Sequence, residues 1–205
     1  FAKDNEQFYG EIPVAKIKQF EIHNTKDRIL TLEEESLLLE VSPPHLQRII
    51  TCALNTGMRR GEIISLKWKD VNMNLGHIKL QYINTKSKRE RIVPISSIMK
   101  EEFLELKPMS KSGNVYLNSD NKPYQDGTGV RKTFYTARRK AEIPELRFHD
   151  LRHTAATRMV ESGVPLFQVG QILGHTDPKT TMRYAHPDAS LKDAIEALAS
   201  YNRTN

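Results

Sequence analysis

Apolar residues recur every three or four positions along most of this chain and give way to alternation in one short stretch near its middle. Thr31-Leu32-Glu33-Glu34 fits a capping box, in which the Thr31 hydroxyl accepts from an orphan amide while Glu34 reaches back, and Leu37, Leu38 and Leu39 follow, so a first helix begins here. Pro43-Pro44 breaks it. Leu46, Ile49, Ile50, Ala53 and Leu54 then share one helical face over residues 45–55, with Gly57 placed to end it, and residues 60–66 read as a further short helix. Residues 78–83 alternate with period two and residues 91–95 answer them across 84–90, which predicts a small antiparallel hairpin with a basic tip. Helical spacing returns over 99–106, 129–141 and 148–162, the last closed by Gly163. Pro165 and Gly174 bound another helix, Asp177-Pro178 starts a short one, and residues 190–201 form an apolar-faced terminal helix. The pattern predicts an α+β fold, mainly α-helical with one small antiparallel β-sheet.

At 205 residues and 38% hydrophobic, the chain can bury one sizeable core. Residues 1–28 are polar and weakly patterned and read as a linker or tail leaving an upstream domain, which a chain beginning at Phe1 leads one to expect. Residues 29–189 form the main domain, and 190–205 a terminal helix and tail. The formal net charge of +6 makes an anionic partner plausible without identifying it. A single cysteine, Cys52, excludes an internal disulfide and a cysteine-rich zinc cluster; it lies in an apolar helical run, as a buried thiol in a reducing compartment would. No apolar run has spanning length and no signal peptide is evident, so the expected setting is cytoplasmic.

Three short stretches carry more information than the bulk numbers: Thr56-Gly57-Met58-Arg59-Arg60-Gly61-Glu62, His149-Asp150-Leu151-Arg152-His153, and Leu173-Gly174-His175 followed by Tyr184-Ala185-His186. In this order they resemble the T-G-x-R-x-x-E, H-x-x-R-H, L-G-H and Y-x-H pattern of the tyrosine site-specific recombinases of the phage-integrase family. Lys86, in the basic hairpin between the first two stretches, matches the family lysine. The resemblance covers residues 30–186. It implies the tyrosine recombinase catalytic-domain fold and a reaction in which Tyr184 breaks and rejoins DNA through a covalent 3′-phosphotyrosine bond, with no ATP, metal or other cofactor.

The chemistry of a phosphodiester can be weighed against each implied role. Attack places charge on the nonbridging oxygens, and a guanidinium fork grips two oxygens at once, which suits Arg59 and Arg152. Arg60 rivals Arg59, but Glu62 three residues after Arg59 keeps the motif's register and would orient it; the alternative for Glu62 is a solvated helix carboxylate. For Arg152 the alternative is a helix-surface arginine paired with Asp150 or Glu161. His149 lies three residues before Arg152, on the same helical face, and would either accept the tyrosine proton or hold the phosphate while another group does so. His175 would donate to a phosphate oxygen, and its alternative is a helix-capping histidine; His153 and His186 read as packing or capping residues. Lys86 would protonate the departing 5′-oxygen, with Lys88 as the neighbouring candidate.

Lys88, Arg89 and Arg91 on the hairpin, and Arg131, Arg138 and Arg139 on the helix over 129–141, are expected to track DNA phosphates. Expected partners are double-stranded DNA, further copies of the chain in a tetrameric synaptic complex, and a directionality factor. The apolar face of Leu191, Ala194, Ile195, Leu198 and Ala199 would dock on the neighbouring copy. Type IB topoisomerase-like relaxation of DNA, or a non-catalytic helical DNA-binding regulator, are the alternatives; the docking face favours a recombinase.

Overall fold

The structure is a computed structural model that describes residues 28–81, 90–107 and 113–185. The first helix, α1 (Leu32–Glu40), opens on the predicted reciprocal cap: the Glu34 amide donates to Thr31 Oγ1 and the Thr31 amide to Glu34 Oε2, both at 3.2 Å. Helix α2 (Pro44–Thr56) takes Pro44 in its first turn, where a missing N–H costs nothing, and ends on Gly57 at φ +63°. Its Leu46, Ile49, Ile50 and Ala53 are fully buried. A five-residue helix, α3 (Arg60–Ile64), follows directly.

The sheet has three antiparallel strands in chain order, β1 (Val71–Asn72), β2 (His77–Leu80) and β3 (Arg91–Pro94). Ile78 faces Val93 across the β2–β3 ladder and both are buried, so the alternation read from the sequence sets the register. β1 is a strand the sequence pattern did not announce, because two residues carry no period. Helices α4 (Ser97–Leu106) and α5 (Thr128–Lys140) flank the core. Helix α6 (Phe148–Glu161) runs through the middle, packed on α2, with Leu151 to Thr157 all buried.

Helix α7 (Leu166–Leu173) and the short α8 (Pro178–Met182) complete the described chain. Pro165 stands just before α7 as its cap and does not enter its first turn. A second, smaller apolar cluster forms under α7 from Ala156, Val169, Leu173 and Tyr184. The segment that enters the domain is tied to α6: the Leu30 amide donates to Thr154 Oγ1 (2.9 Å), and Arg158 bonds the Leu30 carbonyl (3.2 Å) and Glu35 (2.6 Å). Cys52 is buried, and burial pushes its thiol up to about 12. The residues 82–89 that hold the hairpin tip, residues 1–27 of the linker expected over 1–28, and the terminal helix expected over 190–201 lie outside the described residues. Among the described residues no helix is long and apolar enough to cross a membrane.

Candidate active site

Two turns converge on the buried middle of α6. Arg152 is 3% exposed and its two terminal nitrogens donate to backbone carbonyls on either side, Nη1 to Gly57 (2.7 Å) and Nη2 to Leu173 (2.7 Å). Those carbonyls belong to the turns ending α2 and α7, so the guanidinium pins the first and third sequence motifs together. Burial, then the charges of Arg59 and Arg91, lower its pKa. It does not pair with Asp150, whose carboxylate caps α6 by accepting from the Arg147 amide (2.7 Å) and guanidinium. That cap starts the helix where it does and thereby fixes which face His149 and Arg152 share.

Glu62 is 2% exposed, so the solvated-carboxylate reading fails. It accepts from the Arg59 amide (2.8 Å) and from Arg59 Nη1 (3.1 Å), orienting Arg59 as the register of the motif suggested. Burial alone would raise its pKa, but the Arg91 fork and the Arg59 bonds outweigh that and hold it below the ordinary carboxylate value. Arg91 overturns its expected role. Its side chain is 7% exposed, its two terminal nitrogens grip Glu62 at 2.8 and 2.6 Å, and Nε donates to the Ile172 carbonyl at 2.9 Å, which leaves no fork to follow a DNA backbone. Basic residues next to a hairpin read as solvated in sequence; a buried acid elsewhere in the chain is what draws this one in.

Arg59, His149 and Arg152 line one cavity of about 1040 Å³ between α3, α5 and α6. His149 is exposed on its wall, yet its ring titrates down at about 4, because the concave wall desolvates it and His153 and Arg152 add repulsion. Behind it His153 packs edge-on at 4.8 Å between ring centres. His175 follows Gly174, which takes φ +70° as the terminator of α7. Its Nδ1 lies 2.8 Å from Thr181 Oγ1, and desolvation with the charges of Arg152 and Arg59 lowers it to about 4. Both imidazoles are therefore neutral near pH 7 in the free protein, able to donate from one nitrogen and accept at the other.

Tyr184 is 6% exposed, its ring in the small apolar cluster and its hydroxyl 2.7 Å from His153 Nδ1. His153, read from sequence as a packing residue, is thus the histidine that touches the tyrosine oxygen; the one available signal was its place directly after Arg152 on an otherwise buried face. Among the cations expected to meet DNA, Arg131 is exposed on the cavity wall, and Arg138 also lines it while bonding the Leu146 carbonyl (2.7 Å) and covering the Tyr135 ring. Arg139 is exposed beside the same ring. Lys86, Lys88, Arg89 and His186 lie outside the described residues.

A model of the phage integrase family matches residues 26–190. The chain belongs to the phage integrase family. The integrase of Escherichia phage 186 is 32% identical over 206 residues, which is 97% of this chain and 56% of that protein. Among solved structures, the catalytic domain of bacteriophage HP1 integrase is 30% identical, covers 82% of this chain and 93% of its own, and superposes with a TM-score of 0.62. A lambda integrase dimer bound to a COC′ core site shares the fold, with a TM-score of 0.69 at 22% identity over 89% of this chain and 54% of that one. The fold is that of the tyrosine recombinase catalytic domains. The chain spans about half the length of the curated relatives it matches.

Proposed function

We propose that this chain is the catalytic portion of a site-specific recombinase that cuts and rejoins double-stranded DNA through a 3′-phosphotyrosine bond at Tyr184. The observation that carries the reading is that Arg59, His149 and Arg152 line one cavity, with His175 near enough for the charges of Arg152 and Arg59 to bear on it and with the Tyr184 hydroxyl bonded to His153. The tyrosine oxygen attacks the scissile phosphorus and gives its proton to the histidine pair, His153 being the ring in contact; the P–O5′ bond breaks and the 5′-oxygen leaves with a proton from Lys86. Arg59 and Arg152 neutralise the nonbridging oxygens, His149 and His175 donate to them, and Glu62 orients Arg59. One ester is exchanged for another, so bond energy is conserved and the step consumes no ATP and needs no metal ion.

The exposed cations Arg131 and Arg139, with Arg138, would meet DNA backbone, as would Lys88 and Arg89. The lambda integrase structures, a dimer on a core site and a tetramer on a Holliday junction, make a tetramer of this chain on DNA the natural assembly, with the terminal helix from Ser190 as the docking element and a directionality factor as accessory partner. A cytoplasmic, DNA-associated location accords with that. The test uses nicked duplexes with a randomised core, from which the short 5′-hydroxyl fragment diffuses away after cleavage. An adduct that survives denaturing electrophoresis and is destroyed by protease is expected from this chain, and none from Tyr184→Phe, which should still retard the same DNA. An adduct of normal yield from Tyr184→Phe, or none from the unaltered chain, overturns the reading.

A further inference from the structure

Arg91 joins three parts of the site that are far apart in sequence. Its fork closes on both oxygens of Glu62, at the start of α3, and Glu62 in turn holds Arg59. Its Nε binds the carbonyl of Ile172, in the last turn of α7. Its stem fills the space over Gly174: a Cβ there would come within 2.7 Å of Arg91 Cδ and 3.0 Å of Nη1. The glycine of the L-G-H stretch is thus required twice, by its φ of +70° and by this close approach. Arg91, Gly174 and His175 line a cavity separate from the one lined by Arg59 and Glu62.

We propose that Arg91 is a positioning residue that sets the orientation of Arg59 through Glu62 and the placement of His175 through the Ile172 carbonyl and the Gly174 turn, holding both in one frame around the scissile phosphate. The inference rests on the phosphotransfer reading above. Only arginine fits the task. A planar fork meets a carboxylate with two parallel bonds and leaves Nε for the carbonyl, whereas lysine supplies the charge without the geometry. Three cations bear on Glu62, namely Arg59 from the start of α3, Arg91 from β3 and Arg152 from α6. Without Arg91, burial dominates and Glu62 titrates higher, and once protonated it loses its grip on Arg59.

The test compares Arg91→Met and Arg91→Lys with Val93→Ala, which weakens the same strand in its buried core without touching Glu62. Free of DNA, NMR titration of Arg91→Met should show the Glu62 carboxyl moved up and the His175 ring raised from about 4 as its turn loosens and admits water. Arg91→Lys should restore most of the Glu62 titration but not that of His175, and Val93→Ala should leave both in place. With the nicked duplexes, Arg91→Met should form adduct about 10²-fold more slowly at nearly unchanged DNA affinity, with the deficit shrinking as pH rises and Glu62 ionises. Glu62 and His175 titrations that do not move, or that move equally in Val93→Ala, overturn the proposal. Should the unaltered chain form no adduct, the phosphotransfer reading fails, while the NMR results still decide whether Arg91 positions these groups.

Discussion

Gly57→Ala is the smallest change expected to disable the site, because one methyl group acts on the conformation, the packing and the chemistry together. Gly57 terminates α2 at φ +63°, a region where an L side chain costs about 1–2 kcal/mol. The added Cβ would also sit 2.5 Å from Leu173 Cδ2, an overlap that the flexible side chain relieves only by moving, at about 1–3 kcal/mol. The combined loss is about 2–5 kcal/mol, read as a drop in the urea midpoint without a change of slope. The two residues pushed apart are the ones whose carbonyls grip Arg152, so the guanidinium is displaced along with them. Adduct formation by the folded fraction should therefore fall about 10²-fold beyond what the loss of folded protein explains. A stability change below about 1 kcal/mol, or adduct formation that tracks the folded fraction alone, would refute the reasoning.

Lys86→Ala should slow cleavage of ordinary DNA by about 10²- to 10⁴-fold and regain most of that loss on a substrate with sulfur at the bridging 5′ position, since a thiolate leaves without a proton; Arg152→Ala should gain nothing from sulfur, and equal responses refute the assignment. His149 and His175 have folded pKa values depressed from 6.5 to about 4, so the unfolded chain binds more protons between those values; the stability they contribute is complete above 6.5 and is lost as pH falls through about 4. Urea unfolding across that window should therefore show a steeper acid loss for the unaltered chain than for a His149→Gln, His175→Gln double variant, and equal slopes would contradict it. Adduct formation should persist in excess chelator, and a loss that magnesium restores would put a metal in the mechanism.

The helices were legible because each begins or ends on a residue with a local reason: Thr31 and Glu34 as a reciprocal cap, Pro44 in a first turn, Gly57 and Gly174 in the left-handed region. The hairpin register was legible from alternation of buried Ile78, Leu80 and Val93. Arg152, His149 and His175 came from motif order, and the structure gathers them. What sequence could not supply was pairing between distant segments. Arg91 looks like any hairpin cation until the buried Glu62, twenty-nine residues earlier, is seen to claim it. His153 looks like a packing residue until the chain after α8 folds back and brings the Tyr184 hydroxyl to its ring. Local pattern reports what a residue does for its own element, whereas both of these residues act on a neighbour brought near by tertiary folding.

The ties between the entering segment and α6 make that helix the place where mechanical load arrives. A pull on the backbone at residue 28 is borne by the Arg28 pairing with Glu34, by the Leu30 amide on Thr154 and by Arg158 on the Leu30 carbonyl and Glu35. Thr154 lies two residues from Arg152 and one from His153. Any body attached upstream that shifts against this domain therefore has a lever whose short arm ends at Arg152 and at the histidine bonded to Tyr184, and a displacement too small to unfold anything changes how those two groups meet.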